Sequence, residues 1–179
     1  AEDICLVNRC RHANTSLSLI KGEANEIEFL RPDYTILQLG LVDLWPAEGR
    51  RIWPLYSEQY GRDPWVTPDE YKNNLQLFIK FANSRGSKVI LVNSPPVSKP
   101  HLLKHTGLEK KIAQYNNLLA RLAPGAKGSL LDWHESVKCL AERNIFGSDG
   151  IHPTREASKL LARLLLQQII SFEEEAGNG

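Results

Sequence analysis

The 179-residue chain has no methionine and only three cysteines, Cys5, Cys10 and Cys139. They lack any Cys-x-x-Cys spacing, which argues against the usual zinc sites. Three scattered cysteines do not make a disulfide framework and point instead to a reducing compartment. Cys5 sits in an apolar run and reads as a small buried hydrophobe. No apolar run approaches the roughly 18 residues needed to span a bilayer. The first ten residues, AEDICLVNRC, have neither the basic nor the apolar stretch of a secretory signal, so the chain reads as cytoplasmic. Neither sign of charge dominates: 22 Lys and Arg against 21 Asp and Glu leave a net charge of +1. That removes any general attraction to nucleic acid or anionic membrane. No strand-like segment is followed by a Gly-rich phosphate loop, which argues against a nucleotide or flavin site. Neither a cofactor nor a metal is expected.

What is present is an ordinary globular composition, 42% hydrophobic and 24% charged, of a length that suits one domain spanning 1–179. DICLV (3–7) reads as a buried strand running into a loop. Residues 16–30 carry Leu17, Ile20, Ala24, Ile27 and Leu30 at helical spacing, with Gly22 as a weak point. YTILQLG (34–40) is the next strand. Residues 41–66 form a long irregular connection with three tryptophans and three prolines, a length that is uncommon without a function. TPDE (67–70) is a helix start: Thr67 caps, Pro68 suits the first helical position and Glu70 completes a capping box. Leu75, Phe78, Ile79 and Ala82 form that helix's apolar face, and Gly86 ends it. KVILVN (88–93) and SLLDW (129–133) are further strands, with helices over 108–122 and from about 154 to 172. Strands that alternate with helices predict an α/β fold with a parallel sheet covered on both faces.

In such sheets, sites form at the carboxyl ends of strands. The stretch GSDGIHPTREA (147–157) puts Asp149 and His152 three residues apart before the last helix. An acid and an imidazole on one turn can share a rim, as general-base catalysis requires. The same residues also fit a plain helix start, with an acid near the helix N-terminus. Three stretches together resemble the conserved blocks of SGNH (GDSL-type) hydrolases. VNRCRHANTS resembles the second block, LQLGLVDLWP the third, normally Gly-x-Asn-Asp, and SDGIHPTREA the fifth, Asp-x-x-His. They occur in the family's order, and the resemblance covers nearly the whole chain.

The resemblance implies a three-layer α/β sandwich with a flavodoxin-like parallel sheet of order 2-1-3-4-5. It implies ester hydrolysis on an acylated carbohydrate or a small ester, with no cofactor. His152 would be the base and Asp149 its partner; the backbone N–H of Ala13, beside Asn14, would be an oxyanion donor. Two departures stand out. The first block, Gly-Asp-Ser, which supplies the nucleophile, has no counterpart in the chain. The third-block Asn, an oxyanion donor, is Val42, which donates nothing. The absent block would form the middle strand, between ICLV and TILQL. The expectation is therefore that a segment with strand and nucleophile precedes residue 1, which the lack of methionine also suggests. A non-catalytic SGNH-like domain that binds a glycan or protein partner is the alternative.

Several residues have two readings. Asp43 is either a residue that orients the site or a turn aspartate. Trp45, Trp53 and Trp65 either line a pocket or pin the long loop to the body. His101 and His105, at i and i+4, are a surface helix pair or, less favoured, two ligands of a metal. His12 reads as solvated, His134 is ambiguous, and Arg50 and Arg51 read as solvated rather than anion-binding. The sequence gives no oligomeric state.

Overall fold

The structure is a computed structural model that describes residues 4–11, 14–44, 58, 61 and 66–177. His12, Ala13, the three loop tryptophans, Arg50 and Arg51 lie outside the described residues.

Three strands, β1 (Tyr34–Gln38), β2 (Lys88–Val92) and β3 (Ser129–Leu131), form a parallel sheet in the order β1-β2-β3. Ile36 pairs with Ile90, and Val92 with Leu131. Side chains alternate across the sheet, so β2 feeds two cores. Val89 and Leu91, with Leu37, face one core; Ile90 and Val92, with Leu131, face the other. The first core is closed by α1 (16–30), by α3 (Pro68–Ser84) and by α5 (Leu108–Leu122), which supply Leu17, Leu75, Phe78, Ile112 and Leu119. Here α1 is the continuous helical segment built from Ser16–Ser18, a π-helical turn Leu19–Glu23, and Ala24–Leu30. The second core is closed by Trp133 and by α8 (Arg155–Gly177), whose Leu161, Leu164, Leu165, Ile169 and Phe172 recur at helical spacing. The architecture is thus the expected three-layer α/β fold with a parallel sheet.

Short elements sit at the carboxyl ends of the strands: α2 (Leu41–Leu44) after β1, α4 (Lys99–Lys104) after β2, and α6 (Trp133–Ser136) and α7 (Glu142–Ile145) after β3. The start of α3 is as read from the sequence. Thr67 accepts from the Glu70 N–H, and the Glu70 carboxylate accepts from the Thr67 N–H at 2.9 Å.

Three sequence expectations are corrected. Residues 4–7 are not a strand: Ile4 and Leu6 are 76% and 81% exposed, and Cys5 is exposed rather than buried. A strand needs a ladder partner, and the one described neighbour of β1 is β2. The apolar stripe of α1 is also displaced. Leu17, Leu19 and Ile27 are buried while Ile20 and Leu30 are exposed, because the π turn around Gly22 shifts the helical phase. Finally, the third strand stops at Leu131; Asp132 caps α6 by accepting from the Glu135 N–H, and Trp133 is fully buried in the helix.

No helix among the described residues is long and apolar enough to cross a membrane.

Candidate functional site

The fifth-block turn is held rigidly. The Gly147 N–H donates to the His152 carbonyl at 2.8 Å, and Phe146 and Pro153 form an antiparallel bridge. Within it, Asp149 Oδ1 accepts from the N–H groups of Ile151 (2.9 Å) and His152 (3.0 Å), while Oδ2 lies 2.5 Å from His152 Nδ1. These bonds hold the Asp149 carboxyl at about 2, below its ordinary 3.8. The Ile151 N–H is the largest cause, followed by the imidazole and the His152 N–H. A carboxylate can only accept, so Nδ1 donates to it, the tautomer that leaves Nε2 free to accept a proton. The His152 side chain is 72% exposed. Neither residue caps the helix that follows: Thr154 does, its hydroxyl accepting from the Ala157 N–H at 3.2 Å.

Gly150 makes the turn possible. Its φ is +74°, and the Ser98 N–H donates to its carbonyl at 2.9 Å. A Cβ there would fall 2.1 Å from Ser98 Oγ. Gly150→Ala is expected to destabilise the fold by about 1–3 kcal/mol, measurable by urea unfolding. An unchanged midpoint would show that the turn is not constrained in this way.

A second cluster joins the second- and third-block loops. Asp43 Oδ1 accepts from the Ser16 N–H (2.8 Å) and hydroxyl (2.6 Å), and Ser16 Oγ accepts from Asn74 Nδ2 at 3.1 Å. Asp43 is fully buried and Oδ2 has no partner. Burial pushes its carboxyl up to about 6, against the lowering effect of the two Ser16 bonds. Gly40 enters this turn at φ +127°, and a Cβ there would lie 3.0 Å from the Tyr71 hydroxyl. Asn14 and Val42 are half-buried on the two loops that Asp43 and Ser16 link. Among the described residues, no hydrogen bond joins this cluster to the His152 turn.

The raised Asp43 carboxyl has a signed consequence. Between its ordinary 3.8 and about 6 the folded chain holds more protons than the unfolded chain, so this group adds stability as pH falls. Above about pH 6 the buried charge costs at most about 3 kcal/mol. In Asp43→Asn that cost is absent. The stability difference, variant minus parent, is therefore expected to shrink by about 2 kcal/mol between pH 7.5 and 4.5 in urea melts. Parallel stability curves would contradict the assignment.

A third network at the strand ends carried no clear sequence signal. Asn116 brackets the Ser94 backbone, Ser94 N–H to Oδ1 at 2.9 Å and Nδ2 to the Ser94 carbonyl at 3.0 Å. His134 Nδ1 lies 3.2 Å from that same carbonyl, and Asn93 joins Asp132 to the His134 N–H. His134 is therefore tied into the scaffold. The rings of His101 and His105 lie 4.4 Å apart, and among the described residues no group of three potential metal ligands occurs.

Comparison with solved structures places the fold. The chain superposes on a lipase/acylhydrolase from Enterococcus faecalis with a TM-score of 0.68 at 17% identity, covering 88% of this chain and 71% of that one. It superposes on LAE5, an alpha/beta hydrolase from the metagenome of Lake Arreo, Spain, with a TM-score of 0.65 at 22% identity, covering 87% and 68%. Axe2, an acetylxylan esterase from Geobacillus stearothermophilus, gives 0.65 at 20% identity, covering 88% and 68%. No family model and no curated protein sequence matches the chain. At these identities the likeness is one of fold: the chain has the α/β architecture found in this group of esterases and acylhydrolases.

Proposed function

We propose that the chain belongs to a serine ester hydrolase of SGNH type that acts on an acylated carbohydrate or another small ester. The observation that carries this reading is the Asp149–His152 pair: Nδ1 at 2.5 Å from a carboxylate that two backbone N–H groups fix in place, on an exposed turn that does not cap its helix. The Asp43–Ser16 bond supports it by binding the two loops that would build the oxyanion site.

In this reading a serine Oγ attacks the ester carbonyl carbon and its proton passes to His152 Nε2. Asp149 holds the imidazole in the required tautomer and stabilises the charge it gains. The tetrahedral oxyanion is met by the backbone N–H of Ala13, with Asn14 and Val42 lining the site and Asp43 positioning the Val42 turn. Collapse expels the alcohol, which takes the proton from Nε2. Water then repeats the sequence on the acyl-enzyme and releases the acid. Residues 1–179 contain no Gly-Asp-Ser. We place the nucleophile on a further strand that runs parallel along the side of β1 that has no partner among the described residues. Ile36, 39% exposed in mid-strand, and the exposed Leu166 and Ile170 of α8 supply apolar surface for such a unit to cover.

The test is hydrolysis of 4-nitrophenyl acetate and an acetylated xylo-oligosaccharide by the complete coding chain, with and without His152→Ala. Turnover that depends on His152 supports the reading. The second reading, a non-catalytic domain that holds a glycan or protein partner, is favoured by one observation, the apolar Val42 at the donor position. It expects binding without turnover and no Gly-Asp-Ser-like triplet in the coding chain.

A further inference from the structure

Beside the Asp149 turn lies a cleft of about 490 Å³ whose walls carry Ser98, Lys104, Glu142, Arg143, Ser148 and Asp149. Lys104 ends α4, and Arg143 lies in α7, six residues before Asp149. The two walls are tied by the Ser98 N–H to Gly150 carbonyl bond. Among the described residues, neither Lys104 nor Arg143 has an ion-pair partner. Of the two acids in the cleft, Asp149 has its charge met by two N–H groups and the His152 imidazole. Glu142 is adjacent to Arg143 on the helix, where side chains do not face one another. The cleft therefore presents two uncompensated cations, one of them a guanidinium suited to a bidentate carboxylate, against one uncompensated acid.

From this cleft, which reaches the catalytic pair through Asp149, the hydrogen-bond partner of His152, and resting on the reading proposed above, we infer that the substrate is an acylated sugar whose alcohol part carries a carboxylate, bound between Lys104 and Arg143. Ser98 and Ser148 supply hydroxyls suited to the rest of the sugar. The acyl group has no part in this recognition.

Two measurements test it. The first is kcat/KM of the complete coding chain on the monoacetyl esters of methyl glucuronoside, methyl glucoside and methyl glucoside 6-phosphate. The uronoside is expected to be preferred over the glucoside by about tenfold or more, with the difference in KM and weakened by added salt. Lys104→Gln and Arg143→Gln should each pull that ratio toward one, and Glu142→Gln should raise it. A ratio near one in the parent, or one that the variants leave unchanged, overturns the inference while ester hydrolysis stands. Equal or greater preference for the phosphate ester also overturns it, because the site would then read charge rather than a carboxylate. The second is NMR titration of the 179-residue chain with methyl glucuronoside and methyl glucoside, a readout independent of turnover. Shifts at Lys104, Arg143 and Ser148 with the uronoside alone support the carboxylate site, even if the complete chain proves inactive and the hydrolase reading fails. Identical titrations overturn it.

Discussion

His152→Ala in the complete coding chain is expected to lower kcat on 4-nitrophenyl acetate by about three to four orders of magnitude or more. The same substitution should change KM little, since the imidazole takes a proton in the transition state rather than binding the resting ester. Asp149→Asn should be nearly as damaging. An amide at that position can offer His152 Nδ1 an N–H where a carboxylate can only accept, which favours the wrong tautomer and turns the acceptor away from the substrate. The Oδ1 bonds to the Ile151 and His152 N–H groups can survive in the amide, so the turn should persist and the loss should be catalytic. The 179-residue chain alone should not turn over this substrate in any way that His152→Ala abolishes. Turnover by the 179-residue chain that is indifferent to that substitution would remove His152 from the mechanism.

Val42→Asn is the second large effect, and its direction is a gain. In the proposed reading Val42 stands where SGNH-type sites carry an asparagine donor, and one oxyanion donor is worth about 10²–10³ in kcat. The Asp43 anchor to Ser16 and the Gly40 turn hold the backbone of this segment in place. Val42 is only half-buried, so an amide can be accommodated without displacing the core. The expected result is a rise in kcat of up to that magnitude at nearly constant KM. No rise would mean that another group already meets the oxyanion.

The parts of the fold legible in the sequence were those with strong local signals. The Thr67–Glu70 capping box gave the start of α3 because both of its bonds are made within four residues. The period of α5 gave its bounds, and the apolar run 88–93 was legible as a strand, which β2 fills from Lys88 to Val92. The reading of residues 3–7 as a strand failed because an apolar run specifies burial only where a ladder partner exists. Leu17 and Ile27 are buried as read, but Ile20 and Leu30 misled through the π turn, which a spacing rule of three or four residues does not register. At the candidate site, the local Asp149–His152 pair was visible as a motif. Asp43 was ambiguous, since its partner Ser16 lies 27 residues away and only the fold brings them together. The cleft cations Lys104 and Arg143 carried no sequence signal at all. They come from two separate short helices far apart in sequence, whose flanking residues are joined by the Ser98–Gly150 bond.

The central claim is that His152 and Asp149 activate a serine on a strand lying beside β1. Stoichiometric labelling with a fluorophosphonate, read by mass spectrometry on the complete coding chain, tests it most directly. The account expects one phosphonyl group per chain, on a serine of a Gly-Asp-Ser-like strand, with labelling slowed by orders of magnitude in His152→Ala. No labelling, or labelling at the same rate in His152→Ala, would contradict it.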